Sequence, residues 1–146
     1  MEKKLKNHFI KGAISPEFVA DAIRKHQSKT AIGAHDIFLG QVRKDEIDGK
    51  AVTGIEFTAY EEMANKELVN LKEECFEKFN LTCGHIYHSL GHIPTGAICF
   101  FVFTSSAHRP DAFAATQYLV NEIKKRIPIF GKEILEDESH EWKVNK

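Results

Sequence analysis

Cysteine is scarce in this chain, and nothing in it resembles a membrane anchor. Of 146 residues three are cysteine, Cys75, Cys83 and Cys99, an odd number with no C-x-x-C pair. A disulfide framework or a cysteine-based zinc site needs more than that, so the three are read as reduced thiols of a cytoplasmic protein. The longest apolar run, Ala97–Phe103, has seven residues, well short of the ~18 a membrane helix needs. The N-terminal MEKKLKNHFI is basic with no apolar stretch behind it, which gives no sign of a secretory leader. Neither charge dominates: 20 Lys and Arg against 21 Asp and Glu leave a net charge of -1. A global electrostatic hold on nucleic acid is not expected from that balance. The four prolines are scattered, and no repeat or low-complexity linker divides the chain. With 42% apolar and 28% charged residues, the composition is that of one globular domain spanning residues 1–146.

Histidine is more plentiful, at eight residues, and His85, His88 and His92 fall three and four apart. That spacing would align them on a helix, but the segment reads as strand and turn. On a strand His85 and His88 point to opposite faces, so no metal site is expected there.

Ser15-Pro16-Glu17 is a helix start, with Ser as N-cap, Pro at the first helical position and Glu in the first turn. A helix is expected over 16–27 and a strand over 30–42. Gly33 and Gly40 within that strand suggest a bulge or a close backbone approach. A charged loop follows at 44–50. Residues 52–60 alternate as a half-buried strand, with Ile55, Phe57 and Ala59 on one face. Ala64, Leu68, Leu71, Cys75 and Phe79 give 61–79 the clearest amphipathic helical spacing in the chain. Strands are expected at 84–90 and 97–103 with a turn at 91–96 between them, then a helix at 111–126 whose apolar face is Phe113, Val120, Ile123 and Ile127. Short strands at 132–137 and 141–145 close the chain. Consecutive strands without an intervening helix argue for an α+β fold with a largely antiparallel sheet and flanking helices.

Candidate chemistry gathers at the last helix. The apolar strand runs into Thr104-Ser105-Ser106-Ala107-His108-Arg109-Pro110, and a helix N-terminus after a polar turn favours an anion. Arg109 adds a forked donor and His108 a titratable one; the plainer reading is a Ser106 cap with a solvated arginine. Lys124 falls ~55° from the centre of the helix's apolar face, so it snorkels or faces a pocket. Lys132 follows eight residues later, beyond the break at Pro128. Arg43 ends the glycine-bearing strand beside Asp45 and Glu46. Together these cations suggest a small anionic, phosphorylated ligand.

The segments GAHDIFLGQVR (33–43), FTAYEEMA (57–64), HSLGHIPTG (88–96), VFTSSAHR (102–109), IKKRIPIFGKE (123–133) and WKVN (142–145) resemble, in order and spacing, the large catalytic subunit of molybdopterin synthase. The resemblance covers nearly the whole chain. It implies an α/β hammerhead fold and a homodimer within a heterotetramer. The partner would be a small ubiquitin-like subunit carrying sulfur as a thiocarboxylate on a C-terminal Gly-Gly tail. The implied reaction inserts two sulfurs into cyclic pyranopterin monophosphate to make the dithiolene of molybdopterin, with no cofactor. By motif position the substrate-binding residues would be Gln41, Val42, Arg43, His108, Arg109, Gly131 and Glu133, and the catalytic ones Lys124 and Lys132. Many members carry W-K-K-E where this chain has Phe130-Gly131-Lys132-Glu133, so glycine stands in place of one lysine. Either Lys132 turns into the pocket beside Lys124, Arg43 and Arg109, or it alternates to the other face of an extended segment. The glycine also leaves open a non-catalytic module that binds a ubiquitin-like partner or a phosphorylated ligand.

Overall fold

A computed structural model describes residues 5–144, so Asn145 of the WKVN segment lies outside it. The described residues form eight strands and three helices. β1 is Phe9–Lys11, α1 Pro16–His26, β2 Ala34–Gln41, β3 Glu46–Ile47, β4 Lys50–Ala59 and α2 Glu61–Lys78. β5 is Cys83–Pro94, β6 Ile98–Ser106, α3 Arg109–Arg126, β7 Ile129–Leu135 and β8 His140–Trp142. This is the expected α+β architecture. The Ser15 hydroxyl accepts the Phe18 N–H at 3.1 Å and caps α1, with Pro16 at its first turn.

The sheet order is β2-β6-β5-β4-β7-β8, antiparallel throughout that path, with β1 added in parallel to β5. Of the expected turn at 91–96, residues 91–94 instead form the end of β5, and the turn is confined to Thr95 and Gly96. Cys83–His88 pair with β6, and Gly91–Pro94 pair with β4. Gly91, the first residue of the second pairing, has φ 93°, in the left-handed region that favours glycine. A single strand thereby bends from one neighbour to the other.

β6 is buried on both faces, as its apolar run predicts. Phe101 and Phe103 pack with Ile14 and Val19 beneath α1. Phe100 and Val102 face the other way, into a larger cluster with Leu68, Leu71 and Cys75 of α2 and Leu119 and Ile123 of α3. The buried stripe of α3 is Ala112, Ala115, Thr116, Leu119 and Ile123, whereas Phe113 is exposed. Small alanines let the helix backbone approach the sheet, and a phenylalanine has no room at that contact. The Thr104 hydroxyl donates to the Ala112 carbonyl at 3.0 Å and contacts the Thr116 hydroxyl at 2.8 Å. Arg126 clamps α3 to α2 through Glu67 and Glu74. The three thiols are buried and unbridged.

Candidate active site

The site grows from three chain segments that meet beside the C-terminal end of α3. The first is the exit of β2. Its register with β6 shifts between Gly40 and Gln41, the bulge that glycine in this strand suggests. Val42 is 2% exposed. Its N–H donates to the Ala97 carbonyl at 3.0 Å, and its own carbonyl accepts the Gly96 N–H at 2.8 Å. Val42 is thus committed to the core on every polar atom, a correction to its reading as a substrate contact. It fixes its neighbours Gln41 and Arg43, which line the groove. Arg43 donates to Asp45 from Nε at 2.9 Å and from Nη2 at 3.3 Å, and this pairing raises its already high pKa.

The second segment is the last turn of α3. Lys124 borders a cavity of about 100 Å³ whose floor includes Phe57, His88, Cys99 and Phe100. A wider groove of about 860 Å³ opens beside it and shares Lys124, Gln41 and Lys143 with it. Partial burial lowers the Lys124 pKa, and the nearby positive charge of Lys143 lowers it further. Burial also holds His88 down, to about 4, and the Lys124 and Lys143 charges add to that. The His88 Nδ1–H donates to the Ser89 carbonyl at 2.8 Å. Burial pushes the Cys99 thiol up, so it stays protonated, and it lies 3.5 Å from the Gly40 carbonyl as a donor. A neutral floor under a lysine of lowered pKa suits binding of an anion and transfer of a proton.

The third segment is the β7·β8 ladder. Gly131 lines the cavity and Glu133 the groove. Lys132 lies on the opposite face of the strand, as period-two alternation requires. It pairs with Trp142, and its amine sits 6.0 Å above that ring. The expected convergence of Lys132 with Lys124 is therefore corrected: the alternating geometry is the one the fold adopts. Lys143, which the sequence did not single out, occupies the position Lys132 does not. It lines both the cavity and the groove. The available signal was the pairing of two short terminal strands, which sets Lys143 opposite Gly131.

His108 and Arg109 lie elsewhere. His108 is the N-cap of α3 and Arg109 its first residue, both exposed. Fifteen residues of helix separate Arg109 from Lys124, about 22 Å of rise. Within one chain Arg109 cannot join the Lys124 pocket, which corrects the expectation of a single four-cation cluster. The turn before α3 is held tightly: Ser106 Oγ donates to the His108 carbonyl at 2.5 Å, and the His35 ring meets Ser105 Oγ at 2.7 Å. A Cβ on Gly33 would stand 2.2 Å from the Ala107 carbonyl oxygen, so this close approach requires glycine.

On the far face, His26, Cys83 and His85 bring ligand-type atoms within 4.8 Å of one another. His85 and His88 are indeed on opposite faces of β5. The His26 and His85 Nε2 atoms are 2.8 Å apart, and Lys29 Nζ lies 3.0 Å from the Cys83 sulfur. Burial and the charges of Lys6 and Lys72 lower His85 to about 4, which keeps its ring neutral.

The MoaE protein family model matches residues 13–126. The molybdopterin synthase catalytic subunit of Pyrococcus abyssi is 36% identical over 115 residues, which are 79% of this chain and 76% of that protein. The crystal structure of molybdopterin synthase from Staphylococcus aureus superposes with a TM-score of 0.83 at 31% identity, over 98% of this chain and 99% of that one. A chain from the Helicobacter pylori complex of subunits 1 and 2 of molybdopterin-converting factor shares the fold at 19% identity, with a TM-score of 0.80 over 94% of this chain and 90% of that one. With an α+β sheet, a lysine-bordered cavity at the end of α3 and these likenesses, the chain belongs to the MoaE family, that of the molybdopterin synthase catalytic subunits.

Proposed function

We propose that the Lys124 groove is where sulfur passes from a thiocarboxylated partner to cyclic pyranopterin monophosphate. As a member of the molybdopterin synthase catalytic subunits the chain works in the sulfur transfer of molybdopterin synthesis. The finer reading is that two sulfurs are inserted to form the dithiolene. The observation that carries it is Lys124, a lysine of lowered pKa between an enclosed cavity and an open groove lined by Gln41, Arg43 and Glu133. The groove admits a pterin, and the narrow cavity suits the end of an extended tail. The Helicobacter pylori protein was solved with a second subunit, which supports a second-subunit partner here; in this reading that partner is small and ubiquitin-like, with a C-terminal Gly-Gly thiocarboxylate.

The substrate carries a phosphate, which suits arginine forks. Arg43 supplies one. Arg109 supplies a second, and His108 a ring N–H donor, only if they come from a second copy of the chain, because α3 holds them too far from their own Lys124. The proposed assembly is therefore a homodimer in which each groove is completed by its partner's α3 N-terminus, with one small subunit per groove. No helix among the described residues is long and apolar enough to cross a membrane, and the proposed location is the cytoplasm.

The test is single-turnover conversion of the precursor by this chain with its thiocarboxylated partner, read as molybdopterin formed. Dithiolene formation that Lys124→Ala abolishes supports the reading. Partner binding without dithiolene would replace it with a non-catalytic docking module.

A further inference from the structure

Lys143 follows β8 and faces Gly131. Lys132 pairs with Trp142, so the next antiparallel pair is Gly131 with Lys143. The Lys143 N–H donates to the Gly131 carbonyl at 2.8 Å. Directly opposed residues project to the same face of a sheet. Gly131 projects nothing, and the Lys143 side chain borders the cavity that this leaves. The wall behind Gly131 is apolar and close: a Cβ there would lie 3.1 Å from Ile55 Cγ2 and 3.2 Å from Phe57 Cε1. A cation delivered from across the ladder avoids that wall.

We propose that Lys143 is the second cation of the Lys124 pocket, where its ammonium meets the anionic end of the partner's tail and leaves Lys124 to move protons. The proposal rests on the sulfur-transfer reading of the groove. Two positive groups sharing a confined space favour loss of a proton from the more buried one. Lys124 is that one, its pKa lowered by burial and then by Lys143. Lys143 is exposed just after β8. A cation fixed beside a terminal thiocarboxylate stabilises it without a metal or cofactor. The cavity of about 100 Å³ admits a chain end rather than a pterin, so the anion that Lys143 meets on its cavity side is the tail's.

The test compares the full chain with Lys143→Met and Lys143→Arg, each assembled with thiocarboxylated partner and assayed across about pH 6 to 10. Lys143→Met is expected to slow single-turnover sulfur transfer ~10- to 100-fold and to weaken partner binding. It should leave binding of cyclic pyranopterin monophosphate unchanged. Its rate profile should shift to higher pH, because Lys124 loses one of the two influences that lower its pKa while its burial remains. Lys143→Arg, which keeps the charge, should retain the profile. A separate measurement needs no substrate: in the free protein with 13C-methylated lysines, the Lys124 resonance should titrate at higher pH in Lys143→Met. A wild-type rate and profile in Lys143→Met, or an unmoved Lys124 titration, overturns the proposal. Lost substrate binding with intact partner binding would assign Lys143 to the phosphate and also overturn it. A wild-type chain that makes no dithiolene would instead overturn the sulfur-transfer reading, and the resonance titration would still decide whether Lys143 controls Lys124.

Discussion

The Lys132 amine lies over the Trp142 ring, 6.0 Å from its centroid, on the face of β7 that turns away from Lys124. Although Lys132 neighbours Gly131 in sequence, it stands outside the pocket. Lys124→Ala should therefore lower single-turnover sulfur transfer by ~100- to 10,000-fold, while Lys132→Ala stays within about threefold of wild type. Equal losses from both would place Lys132 back among the catalytic groups.

Sharing of the site between two copies can be read from mixtures. Lys124→Ala and Arg109→Ala each inactivate a homodimer. In a one-to-one mixture that has been allowed to exchange subunits, half the dimers are mixed, and each of these has one groove with both residues intact. The mixture should recover about a quarter of wild-type turnover. If Arg109 acted within its own chain, mixing would restore nothing.

Gly33 and Ala107 make a contact that admits no side chain. Gly33→Ala should cost about 2–3 kcal/mol in urea unfolding. It should also weaken substrate binding, because the displaced turn carries His108 and Arg109. A variant with wild-type stability would mean that the backbone relaxes at no cost.

Two histidines give stability a pH dependence. Folding lowers His85 and His88 to about 4 from an ordinary 6.5. Below about pH 6.5 the unfolded chain therefore takes up protons that the native state does not, and stability falls with pH down to about 4. Between about pH 7 and 5 these two histidines should give stability, measured by denaturant unfolding, an average slope of about 1.4 protons, and His85→Gln should remove about half of that. A slope unchanged in that variant would mean that His85 titrates normally in the fold.

The sequence announced some of these features and was silent on others for identifiable reasons. The α1 start is local chemistry, Ser15 capping Phe18 beside Pro16, and it is legible without the fold. The α2 stripe and the doubly buried β6 are equally local. Strand β1 is three residues long and exists only because β5 lies alongside, so no period could reveal it. Phe113 reads as core on hydrophobicity, but packing chose Ala112 and Ala115. The parity of Lys132 depended on where β7 starts, and one residue of register reverses it. Lys143 became visible only through its ladder partner. Arg109 and Lys124 share a motif-level resemblance, yet a rigid helix separates them.

The sheet pairings also dictate an order of assembly during synthesis. Ala34 of β2 pairs with Ser106, and Val52 of β4 pairs with Leu135. A chain emerging from the ribosome therefore holds β2 unpaired until β6 has appeared, and one side of β4 unpaired until β7 has. Closures over such separations are slow compared with helix or hairpin formation. The groove needs β2, the end of α3 and the β7–β8 hairpin together, so it is completed only when the last two strands have emerged.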